Sequence, residues 1–309
     1  MRIVFFGTPE FAVPALEAID GSPHDVLLVV AQPDRPSGRG MKMSKPAAAE
    51  KAIELGLSIR QPEKIRSDEF LRSVRELRPD IGVVIAYGKI LPKELLEIPK
   101  HGFVNVHASL LPKFRGAAPI QRAIECGLRR TGVTIMQVDE QLDHGPILST
   151  RTATIESDER APEVFSKLAE IGAELLVDTL DQIEQGEVTP EEQAHSKATL
   201  APMIDKHEGE IDLSMPAKTI YDRFRAFWPW PGLSVHAGDE RLKLIEIAPE
   251  EGNAEEKPGT ILEIGDDYVV VATGKGRLRL REVQRPGRRS VSAADYVRGR
   301  RLEAGMSIL

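Results

Sequence analysis

The sequence predicts an α/β protein: a doubly wound, mostly parallel sheet with helices on both faces, followed by a small barrel or sandwich of short strands. Three observations carry this. In the first half, short apolar runs rich in β-branched residues alternate with amphipathic helical patterns, as in parallel sheets covered on both faces. A proline-bearing stretch without periodicity then interrupts the chain. Beyond it, short strand signals recur at close spacing, with Gly and Asp turns between them.

In order, the strands of the first half are Arg2 to Phe6, Val26 to Ala31, Ile81 to Ala86, Phe103 to Val106 and Val133 to Val138. Helical patterns fill Glu10 to Ile19, Ala47 to Leu55, Asp68 to Leu77 and Ala117 to Cys126. A long amphipathic helix is expected from Ala161 to Gln185, opened by Ser157-Asp158-Glu159 and stopped at Gly186. Glu187 to Asp205 reads as a linker. A helix over Met215 to Phe227 follows, with Ser214 as its expected N-cap and Pro216 in its first turn. The strands of the second half are Leu233 to His236, Leu242 to Ile247, Gly259 to Ile264, Tyr268 to Ala272 and Arg277 to Leu280.

Composition narrows the functional class. No apolar run approaches the roughly 20 residues of a membrane span, and MRIVFFGTPEF reads as a first strand rather than a signal peptide. A cytoplasmic protein is expected. Cys126, the one cysteine, excludes a disulfide framework and a cysteine metal site, and is expected to be a small buried apolar residue. No His, Asp or Glu cluster has metal-ligand spacing. The net charge is −7, yet Lys275 to Arg301 holds ten Lys and Arg against Glu282 and Asp295. That stretch is therefore +8 and the remainder −15. Such asymmetry fits an anionic partner, although a solvated arginine-rich β surface explains it equally.

The motifs exclude some chemistries and suggest one. Gly7 stands alone where a dinucleotide site carries G-x-G-x-x-G, and Pro9 removes an N–H there. No P-loop occurs. The loop "PDRPSGRGMKMSK" places Arg35, Arg39, Lys42 and Lys45 after a parallel strand, at the edge where such sheets bind ligands. Its cations suit phosphate contacts. Arg277, Arg279 and Arg281 alternate along a strand and so should share one face. In "VNVHASLLPKFRGAAP", Asn105 and His107 likewise share a face at a strand end, and Asp143 follows the next strand. This trio suits acyl-group chemistry. The amide can donate to an oxyanion, the imidazole can move protons, and the carboxylate can fix the imidazole's tautomer and favour its charged form. A serine-hydrolase reading fails for want of a G-x-S-x-G elbow, so Ser109 is not taken as a nucleophile.

Together "FFGTPEF", "QPDRPSGRG", "VNVHASLLPKFRGAAPIQRAI", "TGVTIMQVDEQLDHGPIL" and "RAFWPWPG" resemble the folate-dependent formyltransferases, in order and over nearly the whole chain. "RGAAPIQ", the basic loop and the C-terminal part resemble the members of that family directed at methionyl-tRNA. His144 and Pro146 stand where small or acidic residues are frequent in the family, and Leu213 replaces a usual tryptophan. The resemblance implies a Rossmann-like catalytic domain over residues 1–188, a linker over 189–205 and an OB-like β-barrel for tRNA over 206–309. It implies transfer of the formyl group of 10-formyltetrahydrofolate to the α-amino group of methionine on initiator tRNA, for translation initiation. Asn105, His107 and Asp143 would be catalytic, Ser109, Leu110, Leu111 and Pro112 would wall the folate, no metal would take part, and a monomer is expected. A formyltransferase for a small amine would leave the basic elements without a task. A non-enzymatic RNA-binding protein would leave the trio as coincidence.

Overall fold

Val4 and Phe6 of the first strand point to one face of a sheet and Ile3 and Phe5 to the other, and all four are fully buried. That strand is therefore central. The computed structural model describes residues 1–37 and 42–309, the side chains of Ser37 and Lys42 excepted. The strands of the first half are β1 (Arg2–Gly7), β2 (Asp25–Val30), the short pair β3 (Arg35–Ser37) and β4 (Lys42–Ser44), β5 (Ile59–Arg60), β6 (Ile81–Ile85), β7 (Phe103–His107), β8 (Arg130–Gln137) and β9 (Ile147–Thr154). Seven of them form one sheet in the order β5-β2-β1-β6-β7-β8-β9. Pairing is parallel from β5 to β7 and antiparallel from β7 to β9. The sheet is thus mostly parallel, as expected.

The helices are α1 (Val13–Asp20), α2 (Ala47–Glu54), α3 (Asp68–Leu77), α4 (Lys93–Leu96), α5 (Pro119–Glu125) and α6 (Ala161–Gln185). On one face of the sheet, Val4, Phe6, Leu28 and Val30 pack with Phe70, Leu71 and Val74 of α3 and Leu95 of α4. Phe6 meets Phe70, Tyr87 and Phe103 edge to face. Each large side chain buried there stabilises the fold by about 1.5–3 kcal/mol. On the other face, a Cβ on Gly172 of α6 would lie 2.8 Å from Val106 of β7, so the glycine lets helix and sheet approach closely. α6 ends where expected, at Gly186 in the left-handed region (φ 73°).

The chain divides into two compact units. The first comprises Met1–Pro119, Arg130–Thr154 and Val164–Ala201; the second comprises Ile120–Arg129, Ile155–Glu163 and Pro202–Leu309. The second holds α7 (Ala217–Ala226), β10 (Leu233–Ala237), β11 (Glu240–Glu250), β12 (Ile261–Ile264), β13 (Val269–Ala272), β14 (Arg277–Gln284), β15 (Ser290–Ser292) and α8 (Ala293–Gly299). Its strands form an antiparallel sheet in the order β10-β11-β14-β13-β12, with β15 paired to β14. Within this unit Arg122 chelates Glu208 at 2.6 and 2.9 Å. Arg160 lies over the rings of Phe224 and Trp228 and donates to Glu246 at 2.6 Å.

Two local expectations are corrected. Pro216, not Ser214, occupies the N-cap of α7. The Asp212 side chain accepts from Ser214 N and its carbonyl accepts from Met215 N, so these residues form a turn before the helix. Cys126 is exposed rather than buried, because it lies just past the end of α5 while Ala123 and Ile124 take the inward positions.

Candidate active site

β7 carries Asn105 and His107 on one face, and the strand stops at His107. Asn105 is half-buried, whereas His107 is 5% exposed. The turn after β8 brings up Asp143 at φ 47°, a left-handed conformation that Asp tolerates better than most residues. Its Oδ1 is 3.4 Å from Asn105 Nδ2, and its Oδ2 is 3.7 Å from His107 Nδ1. Oδ2 also accepts the main-chain N–H of Gly116 at 2.7 Å. The three side chains read from the sequence therefore converge. His107 Nε2 donates to the carbonyl of Phe114 at 2.9 Å. A carbonyl only accepts, so Nε2 carries hydrogen and Nδ1 is the ring atom left facing Asp143 and the site.

Residues 109–116 curl around the end of β7. Ser109 is fully buried, and its hydroxyl donates to the carbonyl of Lys113 at 2.6 Å. Thr134 of β8 donates to the carbonyl of Ser109 and accepts from Leu111 N, pinning the turn to the sheet. Leu111 is buried and precedes a cis peptide to Pro112; Leu110 packs near Gly132 of β8. The turn is thus held by its own hydrogen bonds beside Asn105 and His107.

Arg115, Gln193 and His195 join His144 around the trio. Arg115 is 8% exposed and donates through Nε and Nη2 to Gln193 Oε1 at 3.1 and 2.5 Å. Gln193 in turn donates to the carbonyls of Asp143 and Gly145 at 3.0 and 2.7 Å. Arg115 Nη2 also donates to His195 Nδ1 at 2.9 Å, and the His195 ring stacks on His144 with centroids 4.1 Å apart. His144 donates to Asp139 at 2.6 Å. The "FRG" following the trio's loop was a visible signal for Arg115, but nothing local marks Gln193.

Of the basic residues read from the sequence, five lie on strands. Arg35 is exposed on β3, Lys42 starts β4, and Arg39 falls outside the described residues. On β14, Arg277 and Arg279 alternate with the buried Leu278 and Leu280 and so share the outward face, whereas Arg281 stands where the pairing with β11 shifts register, between Leu280 opposite Ile247 and Glu282 opposite Glu246. Arg279 is a bidentate partner of Glu250 at 2.6 and 3.1 Å and covers the ring of Tyr268 at 4.2 Å. Arg277 donates to the carbonyl of Asn253. Arg281 is exposed and has no ion-pair partner among the described residues. Glu240 likewise takes Arg285 and Arg300, so two carboxylates from outside the stretch, Glu250 and Glu240, offset two of its eight net positive charges. These arginines hold the Glu240 carboxyl below its ordinary range.

One group among the described residues has the residue types to hold a metal: His24, Asp181 and Glu184. Asp181 lies 3.3 Å from His24 Nε2, and the amine of Met1 sits 3.0 Å from His24 Nδ1 and 3.1 Å from Glu184. Burial and that ammonium push the His24 pKa below its ordinary 6.5.

The chain is similar to known proteins over most of its length. A family described as formyl transferase matches residues 1–180, and its C-terminal domain matches residues 203–301. A methionyl-tRNA formyltransferase from Thermodesulfovibrio yellowstonii is 44% identical over 304 residues, which are 98% of this chain and 97% of that protein. An N-formyltransferase from Helicobacter canadensis, solved in complex with folinic acid and dTDP-3-aminofucose, shares the fold (TM-score 0.68, 17% identity, 91% of this chain and 99% of that one). So does HypX from Aquifex aeolicus in complex with tetrahydrofolic acid, at TM-score 0.61 and 18% identity. That likeness covers 96% of this chain and 47% of HypX.

Proposed function

The chain belongs to the formyl transferase family, and on that footing we propose that it transfers the formyl group of 10-formyltetrahydrofolate to the α-amino group of methionyl initiator tRNA. The observation that carries the reading is the convergence of Asn105, His107 and Asp143 where β7 ends. The full-length relative named for that reaction supports the choice of acceptor. The reaction belongs to translation initiation in the cytoplasm, where charged initiator tRNA is found.

The chemistry follows from the atoms. The neutral α-amine attacks the formyl carbon, a C–N bond forms, and negative charge gathers on the formyl oxygen. Asn105 Nδ2 and a hydrogen on His107 Nδ1 are the donors able to meet that charge, because His107 Nε2 is engaged with Phe114. Preorganised donors of this kind matter by roughly 10²–10³ in rate each. The intermediate then expels the folate nitrogen, which takes a proton from His107, and Asp143 accepts the amine's proton through water. Ser109 to Pro112 form the wall beside the folate. Arg35, Arg39 and Lys42 of the loop, with Arg277, Arg279 and Arg281 of β14, contact tRNA phosphates.

The test uses 10-formyltetrahydrofolate carrying an isotopic label in the formyl group. Incubation with methionyl-tRNA, release of the amino acid by base and mass analysis should yield labelled formylmethionine. Unlabelled methionine alone would overturn the assignment.

A further inference from the structure

We propose that the segment Gln193–Ala201 is a positioning strap for the catalytic groups, and that Gln193 governs Asp143 through it without touching substrate. The inference deepens the formyl-transfer reading and rests on it for the roles of His107 and Asp143. Three consecutive residues, Phe114, Arg115 and Gly116, hold both of those groups. The Phe114 carbonyl accepts from His107 Nε2, and the Gly116 N–H donates to Asp143 Oδ2. The strap in turn holds these three residues. Thr199 Oγ1 accepts from Phe114 N at 2.9 Å, the Thr199 carbonyl accepts from Arg115 N at 2.9 Å, and Ala201 N donates to the Arg115 carbonyl at 2.7 Å. A Cβ at Gly116 would meet the Ala201 carbonyl at 2.7 Å, so the two segments lie in close contact.

Gln193 closes the circuit on the Asp143 side. It is 4% exposed, and its whole hydrogen-bonding capacity is directed at the site's supports. Its two N–H groups go to the carbonyls on either side of His144, while its oxygen takes both arms of Arg115. The turn it grips contains Asp143 in the left-handed region, and Gly145 runs so close to Gln137 that a Cβ would lie 2.1 Å from its carbonyl. A non-glycine residue at positive φ is disfavoured unless its surroundings fix it. The two Gln193 donors supply that fixing. Loss of the grip frees the carboxylate to drift, and a displacement of about 1 Å at a reacting group costs roughly 10²-fold in rate.

Gln193→Glu is the selective variant. It keeps an acceptor for Arg115 but loses both donors to the turn. Its kcat should fall about 10²-fold, with KM for tRNA and for folate within about threefold of the parent. Gln193→Met, which also releases Arg115, should fall at least as far. In an Asp143→Asn background, Gln193→Glu should add little, because residues acting as one unit are non-additive. The Gly116 amide proton, read by NMR on glycine-labelled protein, should move upfield in Gln193→Glu as its bond to Asp143 weakens. Parental kcat in Gln193→Glu, an undiminished effect in the Asp143→Asn background, or an unmoved Gly116 resonance would each overturn the strap. A parent protein inactive on methionyl-tRNA would instead defeat the functional reading, and the Gly116 resonance would still test the strap.

Discussion

The Asp143 carboxylate stands 3.7 Å from His107 Nδ1 while Gly116 holds the same oxygen at 2.7 Å. The gap between imidazole and carboxylate is too long for a direct hydrogen bond, so the two interact through charge rather than through a shared proton. Asp143→Asn keeps the shape and one oxygen for Gly116 but removes the charge and the proton acceptor. Its kcat should fall by about 10²–10³-fold with little change in melting temperature. Steady-state kinetics beside a thermal melt measures both.

Asn105→Ala and His107→Ala should each lower kcat by about 10²–10³-fold with folate affinity nearly intact. Both side chains sit toward the C-terminal end of strand β7, so truncation leaves the cluster around Phe6, Phe70 and Phe103 in place. Folate-analogue binding by calorimetry, set against turnover, separates the two effects; near-parental turnover in either variant would remove it from the mechanism.

The arginine row should divide by its partners. Arg281 is exposed without an ion-pair partner among the described residues, so it is ready to replace counterions on a phosphate. Arg281→Ala should flatten the salt slope of tRNA binding by about one unit. Arg279 is already matched by Glu250 and stacked on Tyr268, so Arg279→Ala should change the slope less. Filter binding across a salt series distinguishes them.

His24 gives a pH prediction. Burial first, and the Met1 ammonium second, depress its folded pKa below 6.5, against the pull of Asp181 and Glu184. The unfolded chain therefore binds the proton more readily. Stability from this group is fully present above about pH 6.5 and is lost as pH falls toward the folded pKa. Denaturant titrations of His24→Gln should show a shallower loss than the parent in that window; equal slopes would contradict it.

The sequence showed the parts of this site that are local. Asn105 and His107 are two residues apart, so strand periodicity alone aligns them, and the central strands announce themselves by unbroken apolar runs. Asp143 was legible as a carboxylate just beyond the next strand. Gln193 was not, because its partners lie 48 and 50 residues away and its own segment has no periodicity. β9 was missed for a related reason: at the sheet edge, "ILSTRTAT" buries one face only in part and carries polar residues throughout. The Ser214 cap failed because the Asp212 turn captured the residue before the helix began.

The central claim is that this trio serves an aminoacylated tRNA rather than a small amine. The most direct measurement is kcat/KM for formyl transfer from 10-formyltetrahydrofolate, compared between methionyl initiator tRNA and free methionine. Contacts of Arg35, Arg39, Lys42 and the β14 row should favour the charged tRNA by several powers of ten, with the advantage shrinking as salt rises. Equal kcat/KM for the two acceptors, unchanged by salt, would contradict it.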